Sequence, residues 1–240
     1  MNLNLSCIML VLDNEESTDI RRNDVKRLKI LLKDNEVVKF KFDNKSTLKN
    51  IAKEGLSKIL GSKKFHLEQI YTLGEEKYFF DNSVDLIYLG VTNISNVKKL
   101  DKSYELVDLI ISNNKITLGN NTYKFRTKQN ISDNNIEYIH EIDIDNIRKE
   151  KDILEILIAY KYLRVRLDNS DILFKFLGST YTLEDARIVY EMVKEVSVDK
   201  SNFRKKLMRY SEKVDEFKGG KGYRPTQMYK FVNNEDDVWL

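Results

Sequence analysis

The chain has one cysteine, one proline and two histidines in 240 residues. A single cysteine, Cys7, excludes an internal disulfide framework and suits a reducing compartment. In a strand it is expected to act as a small apolar core residue. No Cys/His/Asp cluster has metal-ligand spacing, so structural roles are expected for His66 and His140, and no bound metal or other cofactor is expected. Long uncharged apolar runs are missing, which argues against a membrane span. The opening residues MNLNLSCIMLVLDNEE lack a positive start and carry too short an apolar stretch for a signal peptide. There is no Walker loop, no G-x-S-x-G, and no G-x-G-x-x-G opening a helix. These absences lead to the expectation of a soluble, cytoplasmic chain without a membrane partner.

What is present supports a packed protein. Hydrophobic residues make up 41% and charged residues 33%, enough apolar material for a core, and 240 residues accommodate two domains or one large one. The charge is unevenly placed. Between Lys200 and Val232 ten lysines and arginines stand against three carboxylates, a net +7, while the whole chain is +3. Basicity confined to one end fits a nucleic-acid-binding module carried on a domain that does not bind. A lone charge run is more often a solvated surface, so the surrounding pattern decides.

That pattern lies in Thr182–Val232. Thr182 and Asp185 have the spacing of a helix-start capping box, and Leu183, Ala186, Val189, Tyr190 and Val193 form one apolar stripe. A second helix is predicted to begin near Asp199 or Ser201. Phe203, Leu207 and Tyr210 share one of its faces, leaving Ser201, Asn202, Arg204, Lys205 and Arg209 on the others. An apolar side that seats a helix, with donors near its N-terminus, is what a recognition helix needs. Lys218, Lys221 and Arg224 then surround Gly219, Gly220 and Gly222 in a predicted cationic hairpin. A phosphate loop is the weaker reading of these glycines, because they lie between basic strands. Helix, turn, helix and basic hairpin outline a winged helix-turn-helix, with those eight polar residues as the expected DNA contacts.

Upstream, strands are predicted at Leu5–Leu12, Arg27–Lys33, Glu36–Phe42, Phe65–Leu73, Asp85–Val91, Leu106–Ile111, Lys115–Leu118, Thr122–Phe125 and Ile136–Ile144. Loops are expected at Asn14–Asn23, Gly74–Ser83 and Gln129–Asn135. Glu75, Glu76 and Asp81 are read as a solvated loop rather than a metal loop. Glu68 and Gln69, adjacent in a strand, must point to opposite faces. STLKNIAKEGLSKILG is predicted to be a helix capped by Ser46 and closed by Gly61. A second helix is predicted from about Asp145 until Asp168-Asn169-Ser170 breaks it. The expectation is an α+β chain in two domains: a mixed-sheet domain over 1–168 flanked by two helices, and a winged helix-turn-helix domain over 169–240.

This order resembles the Nudix fold, and its continuation resembles the Nudix-related transcriptional regulators of bacteria. FHLEQIYTLG is similar to the segment after the Nudix helix in that family. STYTLEDARIVYEMV, VDKSNFRKKL and GGKGYRPTQMYKF are similar to its C-terminal winged helix, with Asn202-Phe203-Arg204 and Arg224-Pro225 followed by Tyr229 as the strongest matches. The resemblance implies a DNA-binding regulator, typically a homodimeric repressor on a double-stranded operator. It also implies a front domain that senses ADP-ribose or a related nucleotide or sugar phosphate. The ligand-binding residues are left unassigned.

A divergent hydrolase of nucleotide-diphosphate compounds is the alternative. The Nudix signature G-x5-E-x7-R-E-U-x-E-E-x-G-U supplies glutamates that hold a divalent metal and activate water. With its last glycine on Gly61, the first glycine becomes Phe40 and the first glutamate Ser46. The Arg-Glu pair becomes Glu54-Gly55 and the Glu-Glu pair Lys58-Ile59, so only Leu56 and Gly61 fit. A one-residue slip leaves Ser57-Lys58 at the later pair. A lysine and an isoleucine cannot coordinate Mg²⁺, so no catalytic residues and no enzymatic activity are expected.

Overall fold

Alternation along the first strand sets the layers. In β1 (Asn2–Glu15), Ile8, Leu10 and Leu12 enter one apolar core, and Leu5, Cys7, Met9 and Val11 enter another on the opposite face. A strand buried on both sides reads as a continuous apolar run, which is why LSCIMLVL stands out in the sequence. The computed structural model describes residues 2–15, 25–78, 82–132, 135–219 and 225–232. The expected loop at 14–23 and Asp81 fall mostly or wholly outside these residues, as do Lys221 and Arg224.

Around β1 the chain lays down β2 (Val25–Lys33), β3 (Glu36–Lys41), β4 (His66–Leu73), β5 (Ser83–Asn93), β6 (Glu105–Ser112), β7 (Lys115–Leu118), β8 (Asn121–Ser132) and β9 (Asn135–Ile142). Their order in one mixed sheet is β4-β5-β1-β3-β2-β6-β7-β8-β9. The β1–β5 pair is parallel, Asn2 to Leu12 against Ser83 to Asn93. Helix α1 (Leu48–Leu60) covers the face of Leu5 and Cys7, and α2 (Ile147–Asn169) covers the face of Ile8 and Leu10. The predicted sheet with two flanking helices is therefore observed. No helix among the described residues is long and apolar enough to cross a membrane.

Two local expectations are corrected, and one helix is added. Thr47, not Ser46, caps α1, its hydroxyl accepting from the Asn50 amide at 3.3 Å. Gln129–Asn135 is mainly strand rather than loop: β8 runs to Ser132 and pairs with β9 from Phe125↔Ile142 to Ser132↔Asn135. The β8–β9 ladder satisfies the backbone groups of a stretch whose polar sequence suggested a loop. Helix α3 (Ile172–Phe176) is not expected from the sequence, because five residues are too few to show a period.

Gly61 closes α1 in the left-handed region at φ 62°, donating its N–H to the Ser57 carbonyl. A Cβ there would meet the Lys99 backbone nitrogen at 2.9 Å. Gly61→Ala therefore combines an unfavourable conformation with a backbone clash. It is expected to lower stability by about 2 kcal/mol, read as a lower denaturation midpoint at unchanged slope.

The α2 face also buries charge. Lys151, almost fully covered, places Nζ 2.9 Å from Asp85 Oδ2 and 3.2 Å from the Tyr78 carbonyl. Lys39 Nζ lies 3.3 Å from Asp85, 2.9 Å from Asp152 and 3.4 Å from Glu155. Asn4 Nδ2 donates to Asp85 Oδ1 at 2.8 Å. Burial, reinforced by Asp85 and Asp152, raises the Glu155 carboxyl well above its ordinary range, although the Lys39 charge opposes this. Burial also works to raise Asp85, but the Glu155 carboxyl, Lys39, Lys151 and Asn4 outweigh it and hold Asp85 low. The surroundings thus favour the neutral form of Glu155 and the charged form of Asp85. Cys7 is buried as expected, and burial pushes its thiol up.

Candidate nucleic-acid interface

The C-terminal module is built around α4 (Leu183–Lys194). Thr182 Oγ1 accepts from the Asp185 amide at 3.0 Å, and Asp185 Oδ2 accepts from the Thr182 amide at 3.2 Å, completing the capping box. Ala186, Val189 and Val193 are fully buried. Glu195 ends the helix at φ 56°, and the Val198 amide donates to Glu191 Oε1 at 2.9 Å, which fixes the turn that follows.

Helix α5 (Lys200–Met208) begins at Asp199, whose carboxylate accepts from the Asn202 amide at 2.8 Å. Of the two start sites the spacing allowed, Asp199 is the cap. Phe203, Leu207 and the following Tyr210 are buried, with the Phe203 ring 5.0 Å from that of Tyr190. Seating this face leaves Ser201, Asn202, Arg204, Lys205 and Arg209 exposed together.

Strands β10 (Ser211–Lys218) and β11 (Thr226–Phe231) pair antiparallel and form the wing. Tyr181 and Tyr229 exchange backbone hydrogen bonds at 2.9 and 2.8 Å, tying the wing to the start of α4. Tyr181 Oη lies 2.8 Å from Ser211 Oγ, and Phe231 stacks on Phe174 of α3 at 4.4 Å. Lys218 is exposed, and its Nζ lies 3.8 Å from Asp185. Five of the eight expected contacts thus share the outer face of α5 and a sixth lies on the wing. Lys221 and Arg224 lie outside the described residues.

How this module joins the sheet is visible only in the fold. Asp185 also takes Lys26 of β2 in a 2.8 Å ion pair. Burial works to raise the Asp185 carboxyl, but Lys26, Lys218 and the Thr182 amide outweigh it and hold the group below its ordinary range. Asn93 Nδ2 donates to the Phe176 carbonyl at 3.0 Å. One apolar core continues from β1 through α2 into α3, α4 and α5.

On the front domain, Phe40 and Gly55 are partners. A Cβ on Gly55 would lie 2.4 Å from the Phe40 ring. Phe40, set against the first Nudix glycine in the alignment above, thus packs where a side chain at position 55 would lie. Lys49, Lys53, Glu54 and Lys58 are exposed on α1, a predominantly cationic surface. Glu68 faces α2, 3.3 Å from Tyr162 Oη and 3.6 Å from Arg166, while Gln69 faces the other way and accepts from Tyr88 Oη at 3.2 Å. The expected opposition of the two residues holds. His66 Nε2 lies 3.3 Å from Glu68, and the side chain of His140 is outside the described residues.

A mixed sheet between two helices, followed by a capped helix-turn-helix and a two-stranded wing, is the architecture of a Nudix-like front domain with a C-terminal winged helix. Residues 173–231 match the family described as the NrtR DNA-binding winged helix domain. In fold, the chain is similar to NrtR of Shewanella oneidensis, at TM-score 0.64 and 13% identity over 96% of this chain and 94% of that one. It is similar to the same protein complexed with a 27mer DNA, at TM-score 0.62 and 13% identity over 96% and 93%. A MutT/nudix family protein from Enterococcus faecalis superposes at TM-score 0.65 with 15% identity, covering 97% and 88%. No curated protein matches in sequence. Residues 173–231 thus carry a winged helix domain of the NrtR DNA-binding type, and the chain as a whole shares the fold of these structures.

Proposed function

We propose that the chain is a homodimeric transcriptional repressor that holds a double-stranded operator through Ser201, Asn202, Arg204, Lys205 and Arg209, together with Lys218, Lys221 and Arg224. Its front domain, residues 1–168, senses a nucleotide or sugar-phosphate metabolite such as ADP-ribose, and residues 169–240 bind DNA in the cytoplasm. The observation that carries this reading is the exposed polar and cationic face of α5, seated by Phe203 and Leu207 and flanked by a wing. The 27mer bound to the similar NrtR supports it. Two copies would set the spacing of two half-sites. Binding rests on phosphate contacts, so duplex affinity is expected to fall roughly 10²- to 10³-fold between 50 and 200 mM salt for about five such contacts. Salt-insensitive binding in a fluorescence anisotropy titration contradicts the reading.

The front domain does not hydrolyse. What supports this is the alignment, which sets Lys58 against a metal-binding glutamate, together with the Phe40 ring packed against Gly55. Incubation with ADP-ribose and Mg²⁺ or Mn²⁺ is expected to give no product. Turnover that disappears in Glu54→Gln would overturn this.

A further inference from the structure

A cavity of about 550 Å³ lies where the front sheet, α2 and the winged helix meet. That volume is within the range of small-molecule pockets. The β6–β7 turn, with Asn113 and Asn114 at φ 50° and 59°, and Phe125 of β8 form one wall. Lys161, Arg164 and Val165 of α2 form the second, spaced three and four residues apart on one helical face. Lys194 and Glu195, the C-terminal end of α4, form the third.

The lining combines an apolar floor with positive charge. Phe125 and Leu157 offer apolar surface, and Val165 is 55% exposed. Lys161, Arg164 and Lys194 bring three cations against Asp168 and Glu195. Partial burial lowers the Lys161 ammonium from its ordinary value. The guanidinium of Arg164 holds α4: Nη2 donates to the Lys194 carbonyl at 2.6 Å, and Nη1 lies 3.6 Å from Glu195. Lys194 Nζ in turn lies 2.5 Å from Asp168 Oδ2 and donates to the Arg164 carbonyl at 3.2 Å. Arg164 thereby clamps the residues that lead into the turn before α5.

We infer that this cavity, on the side of the sheet away from α1, binds a nucleoside phosphate, with the base on Phe125 and Val165 and the phosphate on Lys161 and Arg164. A planar guanidinium matches phosphate oxygens in paired hydrogen bonds. A phosphate that engages Arg164 competes with the Lys194 carbonyl and Glu195. Occupancy therefore loosens the clamp on α4 and shifts α5, and by linkage bound DNA opposes the nucleotide by the same factor. The inference rests on the sensor reading above and gives it a site and a direction.

The test is calorimetric titration of the full chain with AMP, with ADP-ribose and with inorganic phosphate, alongside Lys161→Glu and Val165→Trp. Both variants alter exposed side chains and leave the core intact. At least one of the two nucleotides is expected to bind, at least tenfold more weakly to each variant, and to reduce duplex affinity of the wild type at least fivefold. Nucleotide binding equal in wild type and variants overturns the site and spares the sensor reading. Failure of both nucleotides at millimolar concentration, or binding no tighter than that of phosphate alone, overturns the ligand class. Nucleotide binding abolished in the variants but without effect on DNA keeps the site and overturns the sensor.

Discussion

Arg204→Glu combined with Lys205→Glu is expected to weaken duplex binding roughly 100-fold at about 0.1 M salt and to flatten the salt dependence by about two units of slope. Replacing two phosphate-binding cations with anions costs roughly 1 to 2 kcal/mol at each position, and 1.4 kcal/mol is tenfold. Both side chains are exposed on α5, while the residues that seat the helix, Phe203 and Leu207, are untouched. The variant should therefore unfold like the wild type. Lys45→Glu on the front domain is the matched control and should bind normally, since it reverses an exposed charge outside the winged helix. Arg204→Ala alone should lower affinity for a selected operator more than for random duplex. Lys221→Ala should weaken both about equally if its contact is with phosphate, since such a contact reads no base.

Lys151→Met should be the most damaging single change to stability, at about 3 kcal/mol. It removes the ammonium 2.9 Å from Asp85 and the donor to the Tyr78 carbonyl, and a buried charge without its partner is far costlier than a buried pair is valuable. Lys39, 3.3 Å from Asp85, limits the loss. Glu155→Gln should cost far less, because burial disfavours the charged form of Glu155. The raised carboxyl of Glu155 means that the folded chain keeps a proton which the unfolded chain releases above its ordinary value of 4.5. Its contribution is complete below that value and declines as pH rises toward the folded-state value. Asp85 has the reverse sign: its contribution is present above its ordinary 3.8 and is lost as pH falls. Denaturant titrations from pH 5 to pH 8 should therefore show a steeper decline for the wild type than for Glu155→Gln. Parallel curves would contradict the placement of the proton.

What the sequence disclosed and withheld follows from the range of each interaction. The capping box at Thr182 and Asp185, the split faces of α5 and the double burial of β1 are local patterns, and all were readable. The Phe40 and Gly55 pairing was half readable: the alignment showed both replacements, and only the packing showed that one fills the space of the other. Nothing in the sequence sets Lys39, Asp85, Lys151 and Glu155 apart from the other charged residues. Their burial comes from α2 crossing a sheet assembled from segments far apart in the chain, which no short window records. The same holds for Lys26 and Asp185, separated by most of the chain yet 2.8 Å apart. The β8–β9 hairpin misled because polarity is a guide to exposure and a poor guide to strand pairing.

Hydrogen exchange read by mass spectrometry bears most directly on where DNA sits, comparing the full chain alone with the chain saturated by a duplex enriched from random sequence. Slowed exchange is expected at Asp199–Arg209 and in the wing around Lys218, with the exposed surface of α1 unchanged. Slowing confined to the front sheet, or none in α5, would contradict DNA binding through the winged helix.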